Sequence, residues 1–298
     1  MLQGSLKVMV YDILVVYKKN FEEVHDLALK KMIESLKDLE DNLGIKSQYK
    51  ARERVEKNDF QNKKMIIVLG GDGTLTSISH NILDDTPVMG VNSNPRKSDS
   101  TGSVGFYMDS DMSTFSEDVI NAINNECITN HLPRLQAVIT TTSGNILKSD
   151  PALNDLLVAN SQQYMPSKYI MNRGELNTTQ HSSGLLFSTF FGQGAWFRHI
   201  CDIEGMIFDI KEINKKYLVV ARDLNRDIRA ENPTAYLDWT SEETTITSNM
   251  HRGYVVPDGW NEIQFIRGAS IKVNLDAPKL NLITFRNSMV SKLKELIE

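Results

Sequence analysis

The chain has 298 residues, 41% of them hydrophobic and 24% charged, and carries a net charge of −5. That length and mix suit one large globular domain or two modest ones, and the acidic balance speaks against a nucleic-acid binder, which would show a basic face. No apolar run approaches the ~20 residues that span a bilayer, and the first seven residues do not form a basic segment ahead of an apolar core, so a cytoplasmic protein without membrane contact is expected. Ile13-Leu14-Val15-Val16-Tyr17 is a short β-branched run and reads as a buried strand. Asn20 and Glu23 make a capping-box pattern. Val24, Ala28, Met32, Leu36, Leu39 and Leu43 then recur at helical spacing as far as Gly44, which can end the helix. Residues 65–69 read as a second strand, 75–83 as an amphipathic helix and 87–92 as a third strand. Phe115, Val119, Ala122 and Ile123 mark another helix. Strands alternating with helices through residue 132 predict an α/β layer with a parallel sheet. From Pro133 the texture changes to short β-like runs at 135–140, 153–159, 168–171, 185–189, 217–221, 244–247 and 271–275. A mainly β domain is expected over 133–275. Residues 276–298 are expected to pack back on the N-terminal domain, with helical spacing from Leu280 onward.

The chemistry concentrates at Gly70-Gly71-Asp72-Gly73-Thr74, between the second strand and its helix. Three glycines let the backbone approach a ligand closely, with N–H groups free to face phosphate oxygens. The carboxylate is then held where a hydroxyl or a metal-bound nucleotide would lie. The loop is not a dehydrogenase G-x-G-x-x-G, because Thr76 stands at the last glycine position. Nor is it a G-x-x-x-x-G-K-[ST] loop. Without a P-loop lysine, phosphate charge would be met by backbone N–H groups, magnesium and distant basic residues. Other constellations fail on spacing. Asp109, Asp111 and Ser113 begin like an EF-hand loop, but Thr114 occupies the place of its turn glycine. Cys127 with His131, and His199 with Cys201, lack partners at zinc spacing, and the two cysteines suit a reducing compartment.

Gly70-Gly71-Asp72-Gly73-Thr74 resembles the signature of the NAD kinases, shared with diacylglycerol-type lipid kinases. Further segments favour NAD kinases. Gly90-Val91-Asn92 and Gly102-Ser103-Val104-Gly105-Phe106 resemble the halves of a family segment, split here by an insertion containing Asn94-Pro95-Arg96-Lys97. Ala152-Leu153-Asn154-Asp155 resembles the family's Asn-Glu motif. Residues 183–189 with Gly192-Gln193-Gly194-Ala195-Trp196 resemble its long Asp-Gly-Leu…Ser-Thr stretch. The resemblance implies an α/β nucleotide-binding domain over 1–132, a β-rich NAD-binding domain over 133–275 and an active site between them. It also implies transfer of a phosphoryl group from magnesium–ATP to the 2′-hydroxyl of the adenosine ribose of NAD, in a homodimer or homotetramer. In that scheme Asp72 is catalytic, orienting the hydroxyl and accepting its proton. Gly70, Gly71, Thr74, Asn92 and Arg96 would meet ATP and its phosphates. Gly73, Asn154, Asp155, His181, Ser183, Thr189, Ala195 and Trp196 would contact NAD. The chain departs from the family pattern at Ser183, where many members have Asp, at Phe190-Phe191, where many have Pro-Thr, and at Asp155, where Glu is usual. The alternatives are a dinucleotide-binding protein of the same fold that has lost transfer, best supported by those departures, and a lipid kinase, against which the Asn154-Asp155 motif weighs.

Overall fold

Strands buried on both faces read as unbroken aliphatic runs, and two such runs anchor the N-terminal part of the chain. The computed structural model describes residues 11–19, 22–200 and 209–297. Its elements begin with Tyr11–Tyr17 (β1), Glu23–Leu43 (α1), Ile45–Ala51 (β2), Met65–Gly70 (β3), Asp72–Ser79 (α2), Val88–Asn92 (β4), Ser110–Asp111 (β5), Phe115–Ile123 (α3) and Ile128–Leu132 (β6). They continue with Gln136–Thr140 (β7), Ile146–Lys148 (β8), Asp155–Asn160 (β9), Ser167–Arg173 (β10), Leu176–Ser182 (β11), Leu185–Ser188 (β12), Phe197–Ile200 (α4) and Tyr217–Ala221 (β13). The last are Arg226–Glu231 (α5), Pro233–Tyr236 (α6), Leu237–Thr240 (β14), Thr244–Ser248 (β15), Arg252–Pro257 (β16), Ile263–Ile266 (β17), Ser270–Asn274 (β18), Leu280–Thr284 (β19) and Met289–Ile297 (α7). The chain divides into two units, one of Met1–His131 with Leu280–Glu298, the other of Leu132–Lys279.

The first unit holds a sheet of order β2-β1-β3-β4-β19-β6, with β5 on β4. The pairs from β2 through β19 are parallel. Ala28, Met32 and Leu36 turn the apolar stripe of α1 onto Val15, Ile67 and their neighbours. Gly44 ends α1 in the left-handed conformation at φ 65°, as its position after the periodic run predicts. The start of α1 differs from expectation. Glu22 is the N-cap and Glu23 the first helical residue, two positions before the N3 place from which it could close a box, while Asn20 lies outside the described residues. The helix expected at 75–83 instead begins at Asp72 and ends at Ser79, so Asp72, Gly73 and Thr74 open its first turn while Gly70 ends β3 and Gly71 is the N-cap. The helical reading from Leu280 is also corrected. Leu280–Thr284 is a fully buried strand beside β4, and only Met289–Ile297 is helical.

The second unit is a sandwich of two antiparallel sheets, β11-β10-β15-β18-β7-β8 and β14-β13-β12-β9-β16-β17. Ile139, Met171, Ile246 and Ile271 from one sheet share a core with Val158, Phe187, Val219 and Val255 from the other.

Candidate functional site

In the first unit the chain reverses direction across the sheet at β1. It passes through α1 to β2 on one side, then crosses to β3 on the other. Such a reversal leaves a crevice at the carboxyl ends of the two central strands. Those ends carry Lys18, whose N–H donates to the Leu69 carbonyl at 3.0 Å, and the Gly70–Asp72 turn. Gly71 caps α2 and its carbonyl accepts from the N–H groups of Thr74 and Leu75. The three glycines differ in purpose. A Cβ at 70 would lie 2.4 Å from Thr74 Oγ1, and one at 71 would lie 2.8 Å from Ser103 Oγ. A Cβ at 73 would meet nothing within 4 Å. Gly70 and Gly71 therefore permit close packing, with Thr74 buried beneath, while Gly73 faces open space.

The Asp72 carboxylate gathers the segment after the insertion. Its Oδ2 accepts from the N–H groups of Gly105 and Phe106, both at 3.0 Å, and its Oδ1 from that of Tyr107 at 2.8 Å. Asn92 is buried beside it, donating to the Ser103 carbonyl at 3.3 Å and accepting from Asn94 N–H at 3.1 Å. Its amide is thus committed to holding the 92–103 connection. Arg96 is exposed and donates from Nε to the Gly102 carbonyl. Lys97 pairs with Asp111, and both line a hollow of about 180 Å³ with Asn92 and Ser93. Burial works against the Asp111 carboxylate, but Lys97 and the Ser113 hydroxyl and N–H hold it down at about 2. His25, on the first turn of α1, meets Ser93 Oγ through Nδ1 at 2.7 Å. Its Nε2 lies 3.3 Å from Lys18 Nζ and 3.1 Å from Glu22 Oε2. Burial, then the Lys18 cation, lowers its pKa, with Glu22 opposing. Lys18 and His25 escaped the sequence reading; the signal available was a cation directly after a strand at the reversal point.

In the second unit Asn154, Asp155, Ala195 and Trp196 line one hollow of about 270 Å³, together with Asp258. Asp258 was also missed, although Pro257-Asp258-Gly259 is a turn signal after an apolar run. Its carboxylate accepts three successive N–H groups: Leu153 at 2.6 Å, Asn154 at 2.8 Å and Asp155 at 3.0 Å. Burial pushes Asp258 up to about 6, against those N–H groups and the Arg134 cation. Burial, reinforced by the Asp258 charge, pushes Asp155 up to about 7.

Thr189 does not line this hollow. It is fully buried, donates from Oγ1 to the Leu153 carbonyl at 2.6 Å and accepts from Gly192 N–H at 3.0 Å. Its role is to brace the Asn154 strand from behind. Phe190 and Phe191 are also buried, Phe190 packing on Trp239 with ring centroids 4.7 Å apart, so their bulk is taken up in the core. His181 and Ser183 are exposed and line a separate hollow of about 260 Å³ with Tyr164 and Asp223. Trp196 is partly exposed, with the Arg222 guanidinium 5.0 Å from its ring centroid. Among the described residues no three His, Cys, Asp or Glu side chains converge into a metal site, and no helix is long and apolar enough to cross a membrane.

Residues 5–127 match the family model of the ATP-NAD kinase N-terminal domain. The NAD kinase of Clostridium tetani is 28% identical over 177 residues, which are 59% of this chain and 61% of that protein, less than two thirds of its length. The NAD kinase of Clostridium kluyveri is 23% identical over 271 residues, 89% of this chain and 88% of the relative. A crystal structure of an NAD kinase from Archaeoglobus fulgidus in complex with ATP has the same fold, with a TM-score of 0.68 at 16% identity over 95% of this chain and 98% of that one. The family model spans the strand, glycine turn and helix that carry Asp72, and the Clostridium kluyveri match runs on through the β-rich unit with Asn154 and Asp155, so the chain is similar to NAD kinases along both units.

Proposed function

We propose that the chain is an NAD kinase, which moves the γ-phosphoryl group of ATP to the 2′-hydroxyl of the adenosine ribose of NAD and so forms NADP and ADP. The observation that supports this best is the Asp72 carboxylate on the first turn of α2, at the sheet's reversal point beside the open face of Gly73. Its Oδ2 accepts two N–H groups, whereas Oδ1 accepts one and keeps a lone pair for a hydroxyl. The hydroxyl oxygen attacks the γ-phosphorus, the bond to the β,γ-bridging oxygen breaks, and the hydroxyl proton passes to Asp72 Oδ1. Phosphoryl transfer runs through a loose transition state, so orientation of the attacking oxygen matters more than strong proton abstraction. Magnesium arrives on the triphosphate as part of the substrate. The Lys18 ammonium supplies a cation that the glycine turn lacks. Asn154 and Asp155 accept from and donate to ribose hydroxyls and the adenine amino group. Ala195 leaves room, and Trp196 supplies an aromatic wall. The burial of Phe190 and Phe191 removes the main reason to expect a lost activity. In this reading the enzyme works in the cytoplasm as a homodimer or homotetramer.

The test is purified protein with magnesium–ATP and either NAD or NADH, read through a dehydrogenase specific for the phosphorylated product. Asp72→Asn is expected to lower turnover by at least ~100-fold, while calorimetry still detects NAD binding. Because Asp72 also secures Gly105–Tyr107, a melting curve separates loss of the acceptor from loss of fold. Unchanged turnover in that variant overturns the role of Asp72. No product with either dinucleotide, in wild-type protein that binds both, overturns the kinase.

A further inference from the structure

The Leu132–Lys279 unit contains another hollow, of about 310 Å³, which the kinase reading does not use. Three turns of the sandwich build it: the β9–β10 turn, the β15–β16 turn and the turn after β17. Lys168, His251, Arg252 and Arg267 line it, and no Asp or Glu does. Among the described residues none of these four side chains has a hydrogen-bond or ion-pair partner. All four are exposed, and three of them are Lys or Arg on a chain of net charge −5, whose Arg286, Lys292 and Arg173 by contrast pair with Asp118, Asp109 and Asp238. The cations do not sit on loose loops. Asn249 N–H donates to the Lys168 carbonyl at 2.9 Å, Ser161 N–H to the Arg252 carbonyl at 3.1 Å, and Gly268 N–H to the Ser248 carbonyl at 2.8 Å. Like charges are therefore held around one cavity by the backbone, without local neutralisation.

We propose that this hollow binds a small ligand bearing a diphosphate group. Two guanidinium groups and an ammonium are the donors that phosphate oxygens take, and the volume is that of a small-molecule site. Met165, Pro166 and Met250 give one wall an apolar surface against which a base or ring can lie. The site is separate from the dinucleotide hollow. Arg252 opens β16 and Asp258 follows its end, which puts about 17 Å of strand between them. The proposal does not depend on the kinase reading.

The experiment is hydrogen–deuterium exchange with calorimetry on the full chain, using inorganic pyrophosphate and, separately, ADP. Pyrophosphate is expected to slow exchange in peptides covering 160–168 and 248–253. Arg252→Ala/Arg267→Ala should abolish that protection and weaken binding at this site at least tenfold, with the phosphoryl-transfer rate unchanged. The charge-reversed pair Arg252→Glu/Arg267→Glu should bind no pyrophosphate there while melting as the wild type does. ADP held tenfold more tightly than pyrophosphate would identify a nucleotide as the ligand; equal binding would identify the bare diphosphate. Protection confined to 70–75 and 153–155, or undiminished in both double variants, overturns the site.

Discussion

Asp258 and Asp72 perform the same local task in different units: each draws three backbone N–H groups onto one carboxylate. Removing the acceptor strands buried donors, each costing ~1–3 kcal/mol when left unpaired. Asp258→Ala is therefore expected to lose about 2–4 kcal/mol of stability in a denaturant titration and, in the proposed kinase, to raise the KM for NAD by loosening Asn154 and Asp155. Asp258→Asn should fall between, since Asn tolerates the φ of 47° at this turn and keeps one acceptor oxygen. An alanine variant with wild-type KM would remove Asp258 from the site. Asp155 makes a pH prediction. Its folded pKa, about 7, is raised above the ordinary carboxylate value, so the folded state holds the proton more tightly than the unfolded chain. Ionising it therefore costs stability as pH rises from the carboxylate range through about 7. Asp155→Asn removes that cost, so its stability relative to wild type should climb by roughly 1–3 kcal/mol between pH 5 and 8. In the same interval the wild-type KM for NAD should fall as the carboxylate forms, while the variant's stays flat. Parallel melting curves at both pH values would contradict the assignment.

At the scale of elements, the Asn154 strand is placed by what lies behind it. A Cβ at Gly192 would stand 2.3 Å from the Asn154 carbonyl oxygen, which is backbone and cannot swing away. Gly192→Ala is expected to push Asn154 out of position, raising the KM for NAD at least tenfold with a smaller change in kcat; unaltered kinetics would show that the segment slides freely. This dependence was invisible in the sequence, and the reason is general. Asp72, Asn154, Asp155, Ala195 and Trp196 lie within short contiguous motifs, which a sequence displays directly. Asp258 reaches Asn154 only because β16 pairs with β9 in one register, Pro257 opposite Leu156, and spacing along the chain does not reveal that. Elements show the same division. β1, β3 and β4 were legible because both faces are buried and aliphatic. β2 and β11 were not, because edge strands keep polar residues toward solvent and lose the apolar alternation. β19 is five residues long with three of them apolar, too short for periodicity to separate strand from helix; its pairing with β4 decides the matter.

For the whole molecule, the two units differ in continuity. Leu132–Lys279 is one uninterrupted segment that contains both sheets of its sandwich and their shared core. The other unit needs both ends of the chain, because β19 lies between β4 and β6 in its sheet. Polar ties add to the pairing. Asp109 accepts from the N–H groups of Phe285 and Arg286 and pairs with Lys292 at 2.8 Å, and Asp118 pairs with Arg286 at 2.6 Å. The bonds to Phe285 and Lys292 overcome the cost of burying Asp109 and hold its carboxyl below the usual range. Without the last segment, residues 1–131 would expose one side of β4 and leave these two nearly buried carboxylates without their cations. Expressed alone, 132–279 is therefore expected to give a β-rich circular dichroism spectrum and a cooperative melt, and to bind NAD weakly through Asn154 and Asp155. Residues 1–131 should aggregate or remain unfolded, and adding 280–298 as a separate peptide, or joining it by a flexible linker after residue 131, should restore a cooperative transition. A stable, cooperatively melting 1–131 would mean that β19 is an accessory to this sheet, and a 132–279 fragment that fails to fold would mean that its core depends on the rest of the chain.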